Sequence, residues 1–296
     1  MSKSQHERDC IRCKVIECFN LFDKSHESVD AGNELYVYSI LGRKIDENED
    51  LGVCVCTNGS FLRASCFLAD PIFTYYKNSY LSDILIQVTR DFKASIFLAF
   101  SGHYRQAMQV LRCGFENIIS GAYYHTDLIS LGKNNAKTND FARLNRRFNE
   151  WKKGRSRVNV HKAIEVLRRI GFLSMDEEES WNELYNLLSK FIHTPEEFVT
   201  RVEHDGKIKL KGEIVCSAAT YFSEKQLIEW SDCYQSVFAI LLKTVAEFHP
   251  EIFNTESGKI AVRCIKSELK YNENKIKVSK EIRQTLLTIH HSKTKR

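Results

Sequence analysis

SGHYRQAMQVLRCGFENIISGAYY (Ser101–Tyr124) and WNELYNLLSKFIHTPEEF (Trp181–Phe198) are the two stretches whose reading decides the fold of this chain. In the first, Ala107, Val110, Leu111, Gly114, Phe115, Ile118 and Ala122 recur at helical spacing. They make a broad apolar side that must be buried against other helices. In the second, Leu184, Tyr185, Leu188, Phe191 and Ile192 do the same, and Pro195 stops the helix. Each helix also carries a polar stripe. Arg105, Gln109, Arg112 and Glu116 succeed one another at spacings of four, three and four, which sets Arg112 and Glu116 up for an intrahelical ion pair. Asn182, Asn186, Ser189 and His193 share an arc of about 60° at roughly 100° per residue.

Working outward, Tyr80–Ser101 reads as a long helix with Leu81, Ile84, Leu85, Val88, Phe92, Ile96 and Phe97 on its apolar side, punctuated by Gly102. Lys162–Phe172 reads as a shorter helix ended by Gly171. Asp176–His193 is a helix with an acidic first turn, where the helix dipole favours carboxylates. Ser223-Glu224-Lys225-Gln226 fits a capping box that opens a helix running to Phe248, before Pro250. Nearer the N-terminus, Gln5–Phe22 is patterned as an amphipathic helix. Leu35–Leu41, Val53–Thr57 and Phe61–Leu68 are short runs rich in Val, Ile, Cys, Tyr and Phe, and Asn58-Gly59 between two of them is a hairpin signal. The expectation is a mainly α (α+β) chain in three parts. Residues 1–78 hold a helix and a small antiparallel sheet. Residues 79–253 hold a helical bundle with a basic insert at 133–172 and a hairpin-like insert at 199–217. Residues 254–296 form a basic tail, part of it helical.

Charge is unevenly distributed. The chain of 296 residues carries a net +5, yet Lys137–Arg169 alone has eleven Lys and Arg against Asp140, Glu150 and Glu165. Lys259–Arg296 has another eleven against Glu268, Glu273 and Glu281. Two cationic zones on an otherwise acidic chain point to a polyanion partner, and nucleic acid is the commonest. Arg146, Arg147, Lys152, Lys153, Arg155 and Arg157, with Arg105 and Glu116 on the first helix, are the expected RNA-contacting residues. The apolar share of 43% suits a globular core. No apolar run approaches the roughly 18 residues of a membrane span. The polar start MSKSQHERDC is unlike a secretory signal, so a cytoplasmic location with no membrane partner is expected.

Ten cysteines in that setting read as reduced thiols. Cys10-x-x-Cys13 has ligand spacing, and Cys54, Cys56 and Cys66 could complete a zinc site. Their helix- and strand-like contexts favour core thiols instead, and no metal or cofactor is expected. Walker-type, Gly-x-Gly-x-x-Gly, Gly-x-Ser-x-Gly and His-Glu-x-x-His motifs are all missing.

The order of two consecutive helices, a variable insert, a helix ending in His193 and a last helix resembles the HEPN superfamily, from about Tyr80 to Glu251. HYRQAMQVLRCGFENIISGAYY, FNEWKKG, ELYNLLSKFIHTP and SEKQLIEWSDCYQSVFAILLKTVAEFHPE carry the likeness. The resemblance implies a four-helix bundle, a homodimer, and a place in bacterial defence or toxin systems with RNA, an antitoxin or another protein as partner. It also implies metal-independent RNA cleavage by an arginine and a histidine separated by four to six residues. Here Asn186 stands where that arginine is expected, with six residues between it and His193. Asparagine can hydrogen-bond a phosphate but brings no charge to the transition state, a loss worth orders of magnitude in rate. Arg112 is the candidate replacement cation, so the candidate catalytic set is His193, Asn186 and Arg112. The rival expectation is a non-catalytic module that dimerises or docks on an effector enzyme.

Overall fold

Capping chemistry sets most of the helix ends in the structure, a computed structural model that describes residues 48–75, 79–133, 137–193, 223–272, 276 and 278–294. The helices are α1 (Glu49–Tyr75), α2 (Tyr80–Phe100), α3 (Tyr104–Lys133), α4 (Thr138–Lys152), α5 (Val160–Arg169), α6 (Met175–His193), α7 (Glu224–Phe248), α8 (Glu256–Asn272) and α9 (Ser279–Thr294), with a 3₁₀ turn at Pro250–Asn254. The Ser79 hydroxyl caps α2 by accepting from the Leu81 amide, and Ser223 caps α7 by accepting from the Gln226 amide. The reach of α2 into α3 is a tight reversal. The Gly102 amide donates to Ala99 O and the His103 amide to Leu98 O, satisfying the last carbonyls of α2.

The N-terminal antiparallel sheet expected from Val53–Thr57 and Phe61–Leu68 is not formed. Both runs lie inside α1, and no strand occurs among the described residues, which are all-α rather than α+β. The cause is burial: every residue from Leu51 to Asn58 is buried, and the second half of the helix exposes a narrow stripe of Arg63, Cys66, Asp70 and Thr74. Leu51, Val55, Phe61, Ala64, Leu68 and Ile72 are each 2% exposed or less. Packed among α2, α7 and α8, its first half needs no polar stripe, so Val53–Thr57 loses the 3.6-residue period and its Val and Cys content resembles a strand. Asn58, the hairpin signal, is fully buried and donates from Nδ2 to Ser231 Oγ of α7 at 2.9 Å. The Asp50–Ile72 stretch is long and apolar enough to cross a membrane by length and composition, but 72% of its most apolar window is buried inside the molecule. The runs at 5–22, 35–41 and 199–217 lie outside the described residues.

α3 sits centrally, packed on α2, α6, α7, α5 and α4. Trp230 of α7 is fully buried and donates its indole N–H to Ser95 Oγ of α2 at 2.8 Å, while Ser95 donates to Ala107 O of α3 at 2.8 Å. This relay fixes three helices without leaving a buried donor unpaired. The C-terminal basic segment folds as α8 and α9, whose Ala261, Ile265, Leu269, Ile282 and Leu286 belong to the same core. Entry into α8 depends on Gly258, where a Cβ would meet Ile252 O at 2.1 Å.

Candidate nucleic-acid interface

Only Leu144 and Phe148 of α4 are buried, so the rest of this basic helix faces outward. Phe148 anchors it in an aromatic cluster: its ring lies 4.4 Å from Tyr80, 5.3 Å from Tyr124 and 5.7 Å from Trp151, centroid to centroid. Cations lie over this cluster, with Arg147 6.0 Å above Tyr124 and Lys152 5.5 Å above Phe148. The Tyr80 hydroxyl donates to Asn145 Oδ1.

α4 ends on Gly154, whose φ of 68° lies in the left-handed region. The Gly154 amide bonds Trp151 O and the Arg155 amide bonds Glu150 O, each at 2.9 Å. This paired closure turns the chain sharply and carries Arg155, Ser156 and Arg157 back across the surface. Asn159 then caps α5 by accepting from the Lys162 amide.

Two clefts meet along Ser156–Val158. One, of about 530 Å³, is lined by Tyr123, Tyr124, Arg146, Arg147, Glu150, Arg155, Arg157, Asn159 and Lys162. The other, of about 730 Å³, is lined by Asp83, Gln87, Arg112, Glu116, Asn117, Trp151, Lys152 and Arg157. Together they form one groove bordered by seven Lys and Arg against three carboxylates. Four of these cations are already paired: Arg112 with Glu116, Lys152 with Asp83, Arg155 with Glu150, and Arg147 with Asp127. Arg146, Arg157 and Lys162 make no ion pair among the described residues. Lys153 is exposed on the turn that joins the clefts.

Arg112 and Glu116, which line the larger cleft, belong to a hydrogen-bonded cluster with Tyr185. Arg112 Nη2 donates to the Tyr185 hydroxyl at 3.0 Å and pairs with Glu116 at 2.8 Å, and the Tyr185 hydroxyl donates to Glu116 Oε1 at 3.2 Å. Burial works against the Arg112 charge, but the Tyr185 and Glu116 contacts outweigh it and raise its pKa above the ordinary value. Beside it, Asp91 accepts from Gln87 and Asn117 at 2.8 and 3.0 Å, and burial pushes its pKa up. His161 of α5 meets Tyr185 edge to face at 5.1 Å, and its Nδ1 lies 2.6 Å from Asn182 Oδ1. In that contact Nδ1 is assigned as donor, because the amide oxygen can only accept.

The candidate residues therefore separate into groups. Arg112, Glu116, Lys152 and Arg157 line the larger cleft, and Arg146, Arg147, Arg155 and Arg157 the smaller. Arg105 lies apart, donating from Nε to Phe191 O at 3.0 Å and tying α3 to the last turn of α6. Asn186 is exposed on α6 and lines neither cleft. His193 is the last residue of α6 and its side chain lies outside the described residues. Tyr185, the partner of Arg112, is eight residues before it, about 12 Å along the axis at the helical rise. Along α6, the His193 end is held by Arg105, not by Arg112.

Sequence reasoning missed Gln87, Asn117, Tyr123, Lys162 and Tyr185 as parts of this surface. Lys162 was within the charge run, and Gln87-x-x-x-Asp91 is a polar pair at helical spacing that an apolar-side reading passes over. Tyr185 does pack on Phe115, with rings 5.9 Å apart, and its hydroxyl gives no signal in the pattern.

Among the described residues no group of three or more His, Cys, Asp or Glu is placed to hold a metal ion. Cys54 and Cys56 are buried in α1, and burial pushes the Cys54 thiol up to about 12; Cys10 and Cys13 lie outside the described residues. No protein-family model, no curated protein and no solved structure matches the chain.

Proposed function

We propose that this chain binds single-stranded RNA in the groove between α3, α4 and α5. The observation that carries the reading is the gathering of Arg146, Arg157 and Lys162, which make no ion pair among the described residues, around partly exposed Tyr123 and Trp151. Cations supply sequence-independent affinity for the phosphate chain, and aromatic faces accept unstacked bases. Single strands are favoured because splayed bases can reach side chains that an A-form duplex hides. The protein-docking alternative has less support: the exposed large apolar side chains are scattered, with Ile129 on α3, Ile170 at the end of α5, Met175 and Leu187 twelve positions apart on α6, Ile228 on α7 and Leu287 on α9.

Binding is the function proposed, with cleavage outside it. The cation nominated for transition-state stabilisation, Arg112, is engaged by Glu116 and Tyr185, and Asn186 lines neither cleft. The test is incubation of full-length protein with fluorescent single-stranded and duplex RNA in chelator, following retention and length together. Retention of intact single strand, weakened by Arg157→Ala, is expected. Equal retention by Arg157→Ala, or none by the wild type, would sink the proposal. Chelator-resistant cleavage lost in His193→Ala would restore the HEPN-type nuclease reading.

A further inference from the structure

Away from the groove, the N-terminus of α2 meets the end of α7. Ser79 Oγ lies 3.0 Å from His249 Nε2, and His249 Nδ1 lies 3.3 Å from Glu251 Oε1. The Ser79 oxygen accepts from the Leu81 amide at 3.2 Å, so its own proton is free to point at His249. Ser79 is partly exposed, whereas His249 is 5% and His125 8% exposed. A nucleophile reachable from solvent, a base sheltered behind it and a carboxylate on the far ring nitrogen reproduce the roles of a hydrolytic triad, which is recognised by geometry and not by chain order. The dipole of the 21-residue α2 helix adds positive potential where an oxyanion would develop.

We propose that Ser79 is a base-activated nucleophile, with His249 as its general base and Glu251 as the residue that orients His249, forming an acyl-transfer site for small esters. Ser79 Oγ attacks the ester carbonyl carbon while its proton passes to His249 Nε2. The carbon–oxygen bond to the leaving group breaks, and His249 returns the proton to the departing alkoxide, releasing an alcohol. Water then attacks the acyl-serine, giving its proton to His249. The acid departs and the serine regains a proton.

Groups facing His249 include Ser79, Glu251 and His125, whose ring is 5.2 Å away and whose Nδ1 is 3.4 Å from Ser79 Oγ. Burial pulls the His249 pKa below its usual value, with Glu251 acting in the opposite direction. Burial and the neighbouring His249 lower His125 to about 4. Both rings are therefore neutral at pH 7, the state a general base requires.

The test is labelling of the full chain with phenylmethanesulfonyl fluoride, read by intact mass and peptide mapping across pH, alongside hydrolysis of p-nitrophenyl acetate. In labelling, the Ser79 Oγ–sulfur bond forms, fluoride leaves and the proton goes to His249. The expected result is one adduct per chain on Ser79, slowed at least about 100-fold in His249→Gln. Glu251→Gln, nearer the surface, should fold normally and move the acid limb of the labelling profile to lower pH, because the carboxylate that raises the His249 pKa is gone. No adduct on Ser79 in folded wild type, equal labelling in His249→Gln, or an acid limb unmoved in Glu251→Gln would each overturn the proposal.

Discussion

The two cationic zones, 137–169 and 259–296, carry the same number of Lys and Arg against the same number of carboxylates, yet the fold uses them differently. In α8 and α9 the apolar face is buried through Ile265, Leu269, Ile282 and Leu286, while Lys259, Arg263, Lys266, Lys270, Lys280 and Arg283 stay exposed on the opposite side. None of them lines either cleft. α4 is anchored by little more than Leu144 and Phe148, and its cations crowd a concave, aromatic-walled surface. Charge count is the same, but concavity and aromatic neighbours differ. A charged face over a packed helix solvates it, whereas a charged groove concentrates potential.

The comparison can be broken by substitutions in either zone. The largest effect on stability should come from Ile265→Ala, at a fully buried site of α8. It should cost about 2–5 kcal/mol in urea unfolding while leaving RNA affinity of the folded protein unchanged. A large affinity loss there would mean that the C-terminal zone takes part in binding. Next, Arg146→Ala with Arg157→Ala should weaken RNA binding by about tenfold or more and reduce the salt slope by about 1.4, for two lost phosphate contacts to a single strand. Stability should move by less than about 0.5 kcal/mol, because both are surface residues without ion pairs among those described. Fluorescence anisotropy over a salt series reads both quantities.

Gly154→Ala should come third. Its positive φ makes a side chain cost about 1 kcal/mol, and RNA affinity should fall a few-fold as Arg155 and Arg157 shift. Unchanged affinity would separate the turn from the groove. The smallest effect belongs to Lys259→Gln with Arg263→Gln, exposed residues near Glu256. Affinity should stay within about twofold, since exposed pairs contribute little.

Much of this architecture is written locally in the chain. Ser223 and Gln226 announced the start of α7, and Gly102 and Gly171 marked real helix ends, because caps are short-range chemistry. α1 was illegible for the opposite reason. Its first half is buried all round, so Val53–Thr57 displays no face, Phe61–Leu68 exposes only Arg63 and Cys66, and Asn58-Gly59 imitates a turn until Ser231 of α7 supplies a partner 173 positions away. The groove was half legible. The run of cations is explicit, but Arg157 joins Arg112 across one cleft only through the reversal at Gly154. The link from Arg112 to Tyr185 spans 73 positions, and no spacing rule encodes it.

The most direct test of the account is ultraviolet cross-linking of the full chain to a short single-stranded RNA, with the adducts mapped by peptide mass. The account predicts cross-links at Tyr123, Trp151 and the 146–162 segment, lost together in Arg146→Ala with Arg157→Ala. Cross-links confined to α8 and α9, or persisting unchanged in that double variant, would contradict it.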